Sequence, residues 1–169
     1  MRRKLALFLA FILMLCFIGL RGHVYSDFIN YYPFYETLPN IFDLDRYFLS
    51  KTYFEPGFII YSSIIKTFAP NYFSWVFINT FIDLYVFYIT FKRYTTSTII
   101  PFLFFMAFNG LVIEFNLYRN VKALDLFLLS LPYLQNRRLL PYILLNLLGC
   151  TFHMTSVVYL PLYFILNCQ

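Results

Sequence analysis

Five ionisable side chains in this apolar chain have the chemistry needed to hold a charged ligand or to move a proton. They are two arginines, two carboxylates and one histidine: Arg21, Arg119, Asp27, Glu55 and His153. A guanidinium group offers planar, permanently charged donors that suit phosphate oxygens. A carboxylate or an imidazole can accept a proton. The arginines are therefore candidate substrate-binding residues, and the other three are candidate catalytic residues.

Three of these residues also have an ordinary structural explanation. Arg21 directly follows the first apolar run, where a charge commonly ends a membrane span. Asp27 could pair with Arg21 or begin a surface helix. Glu55 precedes Pro56, a position where a carboxylate favours the start of a helix.

The other two candidates could be satisfied within their own segments. Arg119 could pair with Glu114 or Asp125, and His153 could hydrogen-bond to a neighbouring hydroxyl at Thr151 or Ser156. An ionisable residue in an apolar segment is costly unless it is paired or solvated, which favours a function for Arg119. Two weaker candidates are Asp83 and Lys66.

The composition is typical of a polytopic membrane protein. Of the 169 residues, 61% are hydrophobic and only 12% are charged, and the mean hydropathy is +0.68. The net charge of +5 comes largely from short basic clusters beside apolar runs, at 2–4, 92–93 and 137–138. Such clusters indicate membrane orientation and not nucleic-acid binding. The three cysteines lack metal or redox spacing and are interpreted as small apolar residues.

The apolar runs predict an all-α membrane protein with about five to six membrane segments in one domain, 1–169. Leu5 to Leu20 is interpreted as an uncleaved first span, because no small-residue cleavage site follows it. Residues 21–55 are predicted to be an external loop with one or two short interfacial helices. The run 56–70 is bounded by prolines and is shorter than the roughly 20 residues of a span.

Further apolar runs cover 71–91, 98–113, 120–134 and 139–167, with a polar interruption at 114–119. The last run exceeds one bilayer, so Gly149 to His153 is predicted to break it. Placing the basic clusters in the cytoplasm puts the N-terminus inside and makes 56–70 a re-entrant or interfacial helix. A true span at 56–70 would instead put both later clusters outside. In the favoured arrangement, all five candidate residues reach the outer boundary of the membrane.

Several catalytic signatures are missing from the sequence. It contains no Walker A loop, HExxH, CxxC pair, EF-hand loop or GxSxG elbow. We therefore expect no metal and no cofactor.

Four short motifs occur in an order that resembles the EpsG family. They are Arg21-Gly22 followed by Asp27, "EPGF" at 55–58, "YRNVKAL" at 118–124 and "FHMTSVVYLPL" at 152–162. This family comprises multipass membrane proteins of exopolysaccharide and capsule synthesis, similar to Wzy-type O-antigen polymerases. Ser26 stands where the family usually has glycine. The resemblance also implies that the chain is a truncated N-terminal half.

The resemblance implies a glycosyltransferase in the cytoplasmic membrane that polymerises lipid-linked glycans at its outer face. Its partners would be polyprenyl-diphosphate-linked oligosaccharides, membrane lipids and other polysaccharide-assembly proteins, and not nucleic acid. Arg119 and Arg21 would hold the diphosphate, and Asp27, Glu55 or His153 would act as the base. Aromatic residues within 28–54 would stack on sugar rings. The alternatives are a component that flips lipid-linked glycans and a non-catalytic membrane partner of glycosyltransferases.

Overall fold

Helices are the only regular secondary structure in the described part of the chain. A computed structural model describes residues 2–24, 27–108 and 110–167, without the side chains at 2–4 and 6. These ranges contain α-helices and one 3-10 helix and no β-strand, which confirms the predicted all-α class. Ser26, Cys168 and the side chains of the first basic cluster lie outside the described residues.

The helices follow one another with short connections. The α-helices are α1 (Arg2–Gly19), α2 (Phe28–Thr37), α3 (Arg46–Lys51), α4 (Pro56–Lys66), α5 (Tyr72–Tyr94), α6 (Ile99–Ala107), α7 (Gly110–Asn116), α8 (Tyr118–Gln135), α9 (Leu139–Cys150) and α10 (Leu162–Asn167). A 3-10 helix at Met154–Tyr159 lies between α9 and α10.

Helices α1 and α5 pack antiparallel. Phe11 in the middle of α1 contacts Phe81 and Tyr88 edge-on, with ring centroids 6.1 and 6.4 Å apart. The end of α1 lies beside the first half of α5, because a methyl group on Gly19 would be 3.0 Å from the Phe77 ring. The C-terminal end of α1 is therefore at the same end of the bundle as the start of α5.

Helices α8 and α9 form a second antiparallel pair. Asn146 donates to the Ser130 hydroxyl at 3.0 Å, and Gly149 lies beside the Ala123 carbonyl one turn inside α8. The start of α8 also meets the start of α5, where the Tyr118 and Trp75 rings lie 5.0 Å apart. The ends of α1 and α9 and the starts of α5 and α8 are thus all at one end of the bundle.

Among the described residues, only α5 is long and apolar enough to cross a membrane by itself. Helices α6 and α7 pass the same test together, but they are bent by 72°. The sequence had suggested one run at 98–113, and this break was not predicted. Only glycine fits at position 110 in this geometry, since any side chain there would overlap the Phe105 carbonyl.

The predicted break near the C-terminus is confirmed. Helix α9 ends at Cys150, and His153 adopts an extended backbone before the 3-10 helix. The carbonyl of Gly149 accepts hydrogen bonds from the backbone N–H groups of Phe152 and His153, at 2.9 and 3.0 Å. This turn ends the helix and presents His153 beside the start of α4.

Helix α4 is too short to span a bilayer. Its 11 residues extend about 16 Å at roughly 1.5 Å per residue. Both of its ends contact α2: Phe58 lies 5.7 Å from Phe34, and Lys66 donates to the Tyr35 carbonyl at 2.8 Å. The helix therefore begins and ends near the same neighbour, as expected for a re-entrant or interfacial segment. Its position in a bilayer stays a prediction.

An aromatic core attaches the segment 21–55 to the bundle. Tyr35, Phe58 and Trp75, from α2, α4 and α5, are fully buried, and Tyr35 stacks on Trp75 with centroids 4.9 Å apart. The predicted short helices of this segment are present as α2 and α3. Because its rings are buried in a common core, α2 is held in a fixed position next to the starts of α5 and α8.

Candidate functional site

The carboxylate of Glu55 bridges two residues from distant parts of the chain. Its Oε2 accepts a hydrogen bond from Nη1 of Arg119 at 2.6 Å, and its Oε1 lies 3.0 Å from Nδ1 of His153. All three side chains are partly accessible, with exposed fractions of 17%, 23% and 20% for Glu55, Arg119 and His153. The tertiary structure therefore brings three of the five sequence candidates into direct contact, and we call them the Glu55 site.

The "EPGF" motif positions Glu55 at the start of α4. Pro56 occupies the first turn, where its missing N–H is not needed, and the Glu55 side chain makes no capping hydrogen bond. The Gly57 N–H donates to the Thr151 carbonyl at 2.9 Å, and a methyl group on Gly57 would overlap the Thr151 hydroxyl. Phe58 is fully buried in the aromatic core. Glu55 is consequently free to point toward His153 and Arg119 instead of capping its own helix.

Arg119 lies in the first turn of α8 with its guanidinium group over the Phe54 ring, 4.9 Å from the centroid. Its Nε donates to the Tyr31 hydroxyl at 3.4 Å. Its Nη2 donates to none of the residues that the structure describes. Glu114 and Asp125, the local alternatives, are not its ion-pair partners in that part of the chain.

His153 uses Nδ1 toward Glu55, which leaves Nε2 on the opposite side of the ring. The local alternatives have other partners, because the Thr151 hydroxyl donates to the Leu148 carbonyl and the Ser156 hydroxyl donates to the Cys150 sulfur. When Nδ1 carries the proton and donates to Glu55, Nε2 is an acceptor. A carboxylate that orients a histidine in this way is a recurring arrangement for a general base.

Two physical effects act on the acidity of Glu55. Burial by itself would raise the pKa of this carboxyl group. The hydrogen bonds from Arg119, from its own backbone and from His153 outweigh burial, and the pKa lies below the ordinary value of 4.5. Glu55 is therefore an anion near neutral pH and acts as an acceptor for its two partners.

Asp27 lies at the edge of the Glu55 site. It precedes α2 without a side-chain capping bond, and its backbone N–H donates to Oδ1 of Asn116 at 3.4 Å. Burial raises the pKa of the Asp27 carboxyl above its ordinary value of 3.8, although the charge of Arg119 acts in the opposite direction. Asp27 is thus half-buried, electrostatically linked to Arg119 and not committed to capping.

Arg21 is not in direct contact with the Glu55 site. It is only 8% exposed, and the predicted pairing with Asp27 is not among its contacts with described residues. Its guanidinium group instead turns back into the bundle, where it joins the end of α1 to α5, α7 and α8. Its acceptors are the carbonyls of Ile18 and Glu114 and the hydroxyls of Thr80 and Tyr118. This position makes Arg21 a residue that holds Tyr118, the neighbour of Arg119, and its role in substrate binding stays a prediction.

Sequence reasoning missed the aromatic support of Arg119 and the role of Lys122. Phe54 and Tyr31 hold the guanidinium group, but their roles depend on the fold and carry no local signal. Lys122 is buried and forms an ion pair with Asp83. The sequence did contain a signal for Lys122. Ionisable residues follow Arg119 on α8 at three-residue intervals, and this spacing places them on one face of the helix.

A comparison with protein families decides the classification. The EpsG family model matches residues 4–169. The chain belongs to the EpsG family. No curated protein and no solved structure matches it significantly. As an EpsG protein it is a polysaccharide polymerase-like membrane protein, and the three motifs "EPGF", "YRNVKAL" and "FHMTSVVYLPL" supply Glu55, Arg119 and His153.

A cavity of about 330 Å³ adjoins the Glu55 site of this EpsG protein. It lies between α2 and the α3–α4 connection and combines aromatic rings with polar groups. Its lining residues are Ile29, Asn30, Pro33, Phe34, Thr37, Phe48, Lys51, Thr52, Tyr53 and Phe54. Phe54 lines this cavity and also supports the guanidinium group of Arg119. The cavity and the site therefore share a wall.

Proposed function

We propose that this EpsG protein joins polyprenyl-diphosphate-linked glycan repeat units at the outer face of the cytoplasmic membrane. The observation that supports this most directly is the bridge from Glu55 to Arg119 and His153. It combines a cation suited to phosphate with an oriented proton acceptor, and these are the two groups that the reaction requires.

Arg119 holds the diphosphate of the donor glycan. Glu55 and Phe54 fix the guanidinium group, and Nη2 is directed to the phosphate oxygens. Negative charge accumulates on the diphosphate as its bond to the sugar breaks. A preorganised cation at that position stabilises the transition state more than the bound substrate.

His153 accepts the proton of the attacking hydroxyl group. Of the three candidate bases, Glu55 is already committed to two partners, whereas Nε2 of His153 is free to accept once Nδ1 donates to Glu55. The proton of the acceptor sugar hydroxyl moves to Nε2, and its oxygen forms a bond to the anomeric carbon of the donor. The bond between that carbon and the diphosphate oxygen breaks, and the electron pair leaves with the diphosphate. Asp27 binds a second sugar hydroxyl at the edge of the site.

The cavity between α2 and α3 receives sugar residues next to the Glu55 site. Aromatic faces such as Tyr53 stack on sugar rings, and Asn30 and Thr52 offer hydrogen-bonding groups. Its volume of about 330 Å³ is at the lower end of ordinary ligand sites. A short saccharide is therefore the expected occupant.

The test is polymerisation of lipid-linked repeat units by the purified protein in liposomes. The wild type should lengthen the glycan and release free polyprenyl diphosphate, and Arg119→Ala should abolish both. Arg46→Ala is the matched control, because Arg46 is exposed at the start of α3. Unchanged product lengths for Arg119→Ala would refute the diphosphate role. Movement of the glycan across the membrane without release of diphosphate would show a flipping component instead.

A further inference from the structure

A second group of ionisable side chains lies inside the bundle, apart from the Glu55 site. Its five members are each at most 8% exposed: Arg21, Asp83, Glu114, Lys122 and Asp125. They come from the end of α1 and from α5, α7 and α8. We call them the buried cluster. Lys122 and Asp125 follow Arg119 on one face of α8, so this face leads from the Glu55 site into the buried cluster.

The cations of the buried cluster have defined partners. Lys122 forms an ion pair with Asp83 and donates to the Asn79 carbonyl at 3.2 Å. The nearby hydroxyl of Tyr61, from α4, donates to Oδ1 of Asn79 at 3.0 Å. Arg21 acts electrostatically on the Glu114 carboxylate while it donates to the Glu114 backbone carbonyl at 2.9 Å. The Glu114 carboxylate is compensated only electrostatically, by Lys122 and Arg21, whereas Asp83 has a direct ion-pair partner.

Asp125 has no such partner. Neither of its carboxylate oxygens receives a hydrogen bond from a described residue, and the side chain is only 4% exposed. The Asp83 carboxylate is the charged group that acts on it most strongly. Two carboxylates have acceptors only, so their contact contains a hydrogen bond only when one of them carries a proton.

The net charge of the buried cluster also indicates that a proton is missing. It contains three carboxylates and two cations, and it is therefore singly negative when every group is ionised. An uncompensated charge away from water is strongly unfavourable. One added proton makes the buried cluster neutral and also supplies the donor that is missing between Asp125 and Asp83.

We propose that the buried cluster is a proton-binding site that takes one proton, held on Asp125 and shared with Asp83. The groups that act electrostatically on this carboxyl group are Asp83 from α5, Glu114 from α7, Tyr61 from α4 and Lys122 from α8 itself. The ligand is a proton because it supplies the hydrogen-bond donor that two carboxylates lack. The shared proton joins α8 to α5 at Asp125, roughly 1.7 turns along α8 from Arg119. The site is independent of the proposed polymerase reaction.

Infrared spectroscopy of the purified protein in lipid at neutral pH tests this proposal. A protonated carboxyl group has a C=O stretching band that is separate from the carboxylate bands and shifts in D2O. The wild type should show one such band, and Asp125→Asn should lose it while the protein remains folded, because the amide can donate to Asp83 as the proton did. Glu36→Gln is the control, since Glu36 is exposed on α2 and should leave the band unchanged.

The charge count makes a second, independent prediction. Lys122→Met removes one cation and should double the intensity of the band, because the remaining groups need two protons for neutrality. Adding Asp83→Asn to Lys122→Met should return the band to the wild-type intensity. If Lys122→Met does not fold, Asp125→Asn and the double variant still decide the matter.

Two results would overturn the proposal. These are a wild type without the band and a band that persists in Asp125→Asn. If the persisting band is then lost in Glu114→Gln, the proton belongs to Glu114 instead. None of these readouts depends on polymerase activity, so failure of the proton site and failure of the proposed function are distinguishable.

Discussion

The backbone N–H of Gly57 donates a hydrogen bond to the carbonyl oxygen of Thr151 at 2.9 Å, which fixes the start of α4 against the turn after α9. Glu55 lies two residues before this contact and His153 lies two residues after it. Their side chains meet at 3.0 Å because the two backbones are in direct contact. The turn that contains Thr151 and His153 thereby completes the site that "EPGF" begins. Thr151 is 94 residues from Gly57 and has no local sequence relationship to the motif.

Gly57→Ala should separate Glu55 from His153. The added methyl group overlaps the Thr151 hydroxyl, so the start of α4 must move away from the end of α9. We expect a loss of polymerisation and a decrease of about 1–3 kcal/mol in the free energy of unfolding, as for other overpacked sites. Thermal unfolding in detergent and glycan length in liposomes measure the two effects.

Gly22→Ala is the matched control for this change. Among the described residues, apart from its two chain neighbours, no atom lies within 4 Å of the position that a methyl group on Gly22 would take, so stability and activity should stay at the wild-type level. Wild-type activity in Gly57→Ala would show that the contact with Thr151 does not position the site.

Arg119→Lys should preserve the fold but not the reaction. A lysine can keep the ion pair with Glu55, and a partly exposed pair contributes only about 0–1 kcal/mol to stability. It lacks the planar fork that holds Glu55 and a phosphate oxygen together. We expect a rate roughly 100-fold lower, as for the loss of one preorganised donor. Initial rates of diphosphate release measure this, and a lysine variant as fast as the wild type would mean that positive charge alone is sufficient.

Glu55→Gln should change how stability depends on pH. The pKa of Glu55 in the folded protein lies below its ordinary value of 4.5, since its hydrogen bonds outweigh burial. The resulting stabilisation is complete above the unfolded value and is lost as the pH falls through the folded value. The variant should therefore be less stable than the wild type at neutral pH, and the difference should shrink below about pH 4.5. Unfolding temperature against pH tests this, with the exposed Glu36→Gln as control.

Asp27→Asn should lower activity without lowering stability. Burial raises the pKa of Asp27, so its ionised form is less favourable in the folded state at neutral pH. The corresponding stabilisation is present below the unfolded value of 3.8 and is lost as the pH rises through the folded value. The amide that the substitution introduces does not titrate, so it makes no pH-dependent contribution to stability. The substitution also removes no helix cap, because the Asp27 side chain makes no capping hydrogen bond. We expect the unfolding temperature at pH 7 to be unchanged or slightly higher and polymerisation to be slower. A marked loss of stability would contradict this account.

Two single-cysteine variants test the orientation of the protein. Ser50→Cys, in a protein without its native cysteines, should react with an impermeant thiol reagent added to intact cells, because Ser50 is exposed in the segment predicted to be external. Gln135→Cys at the other end of α8 is equally exposed and should react only after the cells are opened. Reaction of Gln135→Cys in intact cells, or failure of Ser50→Cys, would invert or refute the predicted topology.

Much of the helical framework could be predicted because it depends on local apolar length and on helix-breaking residues. The run at 71–91 corresponds to α5 at Tyr72–Tyr94, and the break predicted at Gly149 to His153 follows the end of α9 at Cys150. The bend between α6 and α7 was not predicted, and neither was the close approach of Gly110 to Phe105 that accompanies it. A glycine within an apolar run does not by itself show which neighbour will crowd it.

The order of amino acids was sufficient to predict an all-helical chain of membrane type, its motifs and the small set of charges from which a site could be built. Apolar length, helix-breaking residues and ionisable groups in apolar surroundings are local properties, and local properties can be read without a fold. Tertiary structure alone decided which charges meet. It paired Glu55 with Arg119 and His153, and it turned Arg21 inward toward Tyr118, away from Asp27. Such pairings depend on how the ends of α1, α4, α8 and α9 pack around a common aromatic core, and no spacing along the chain encodes that packing.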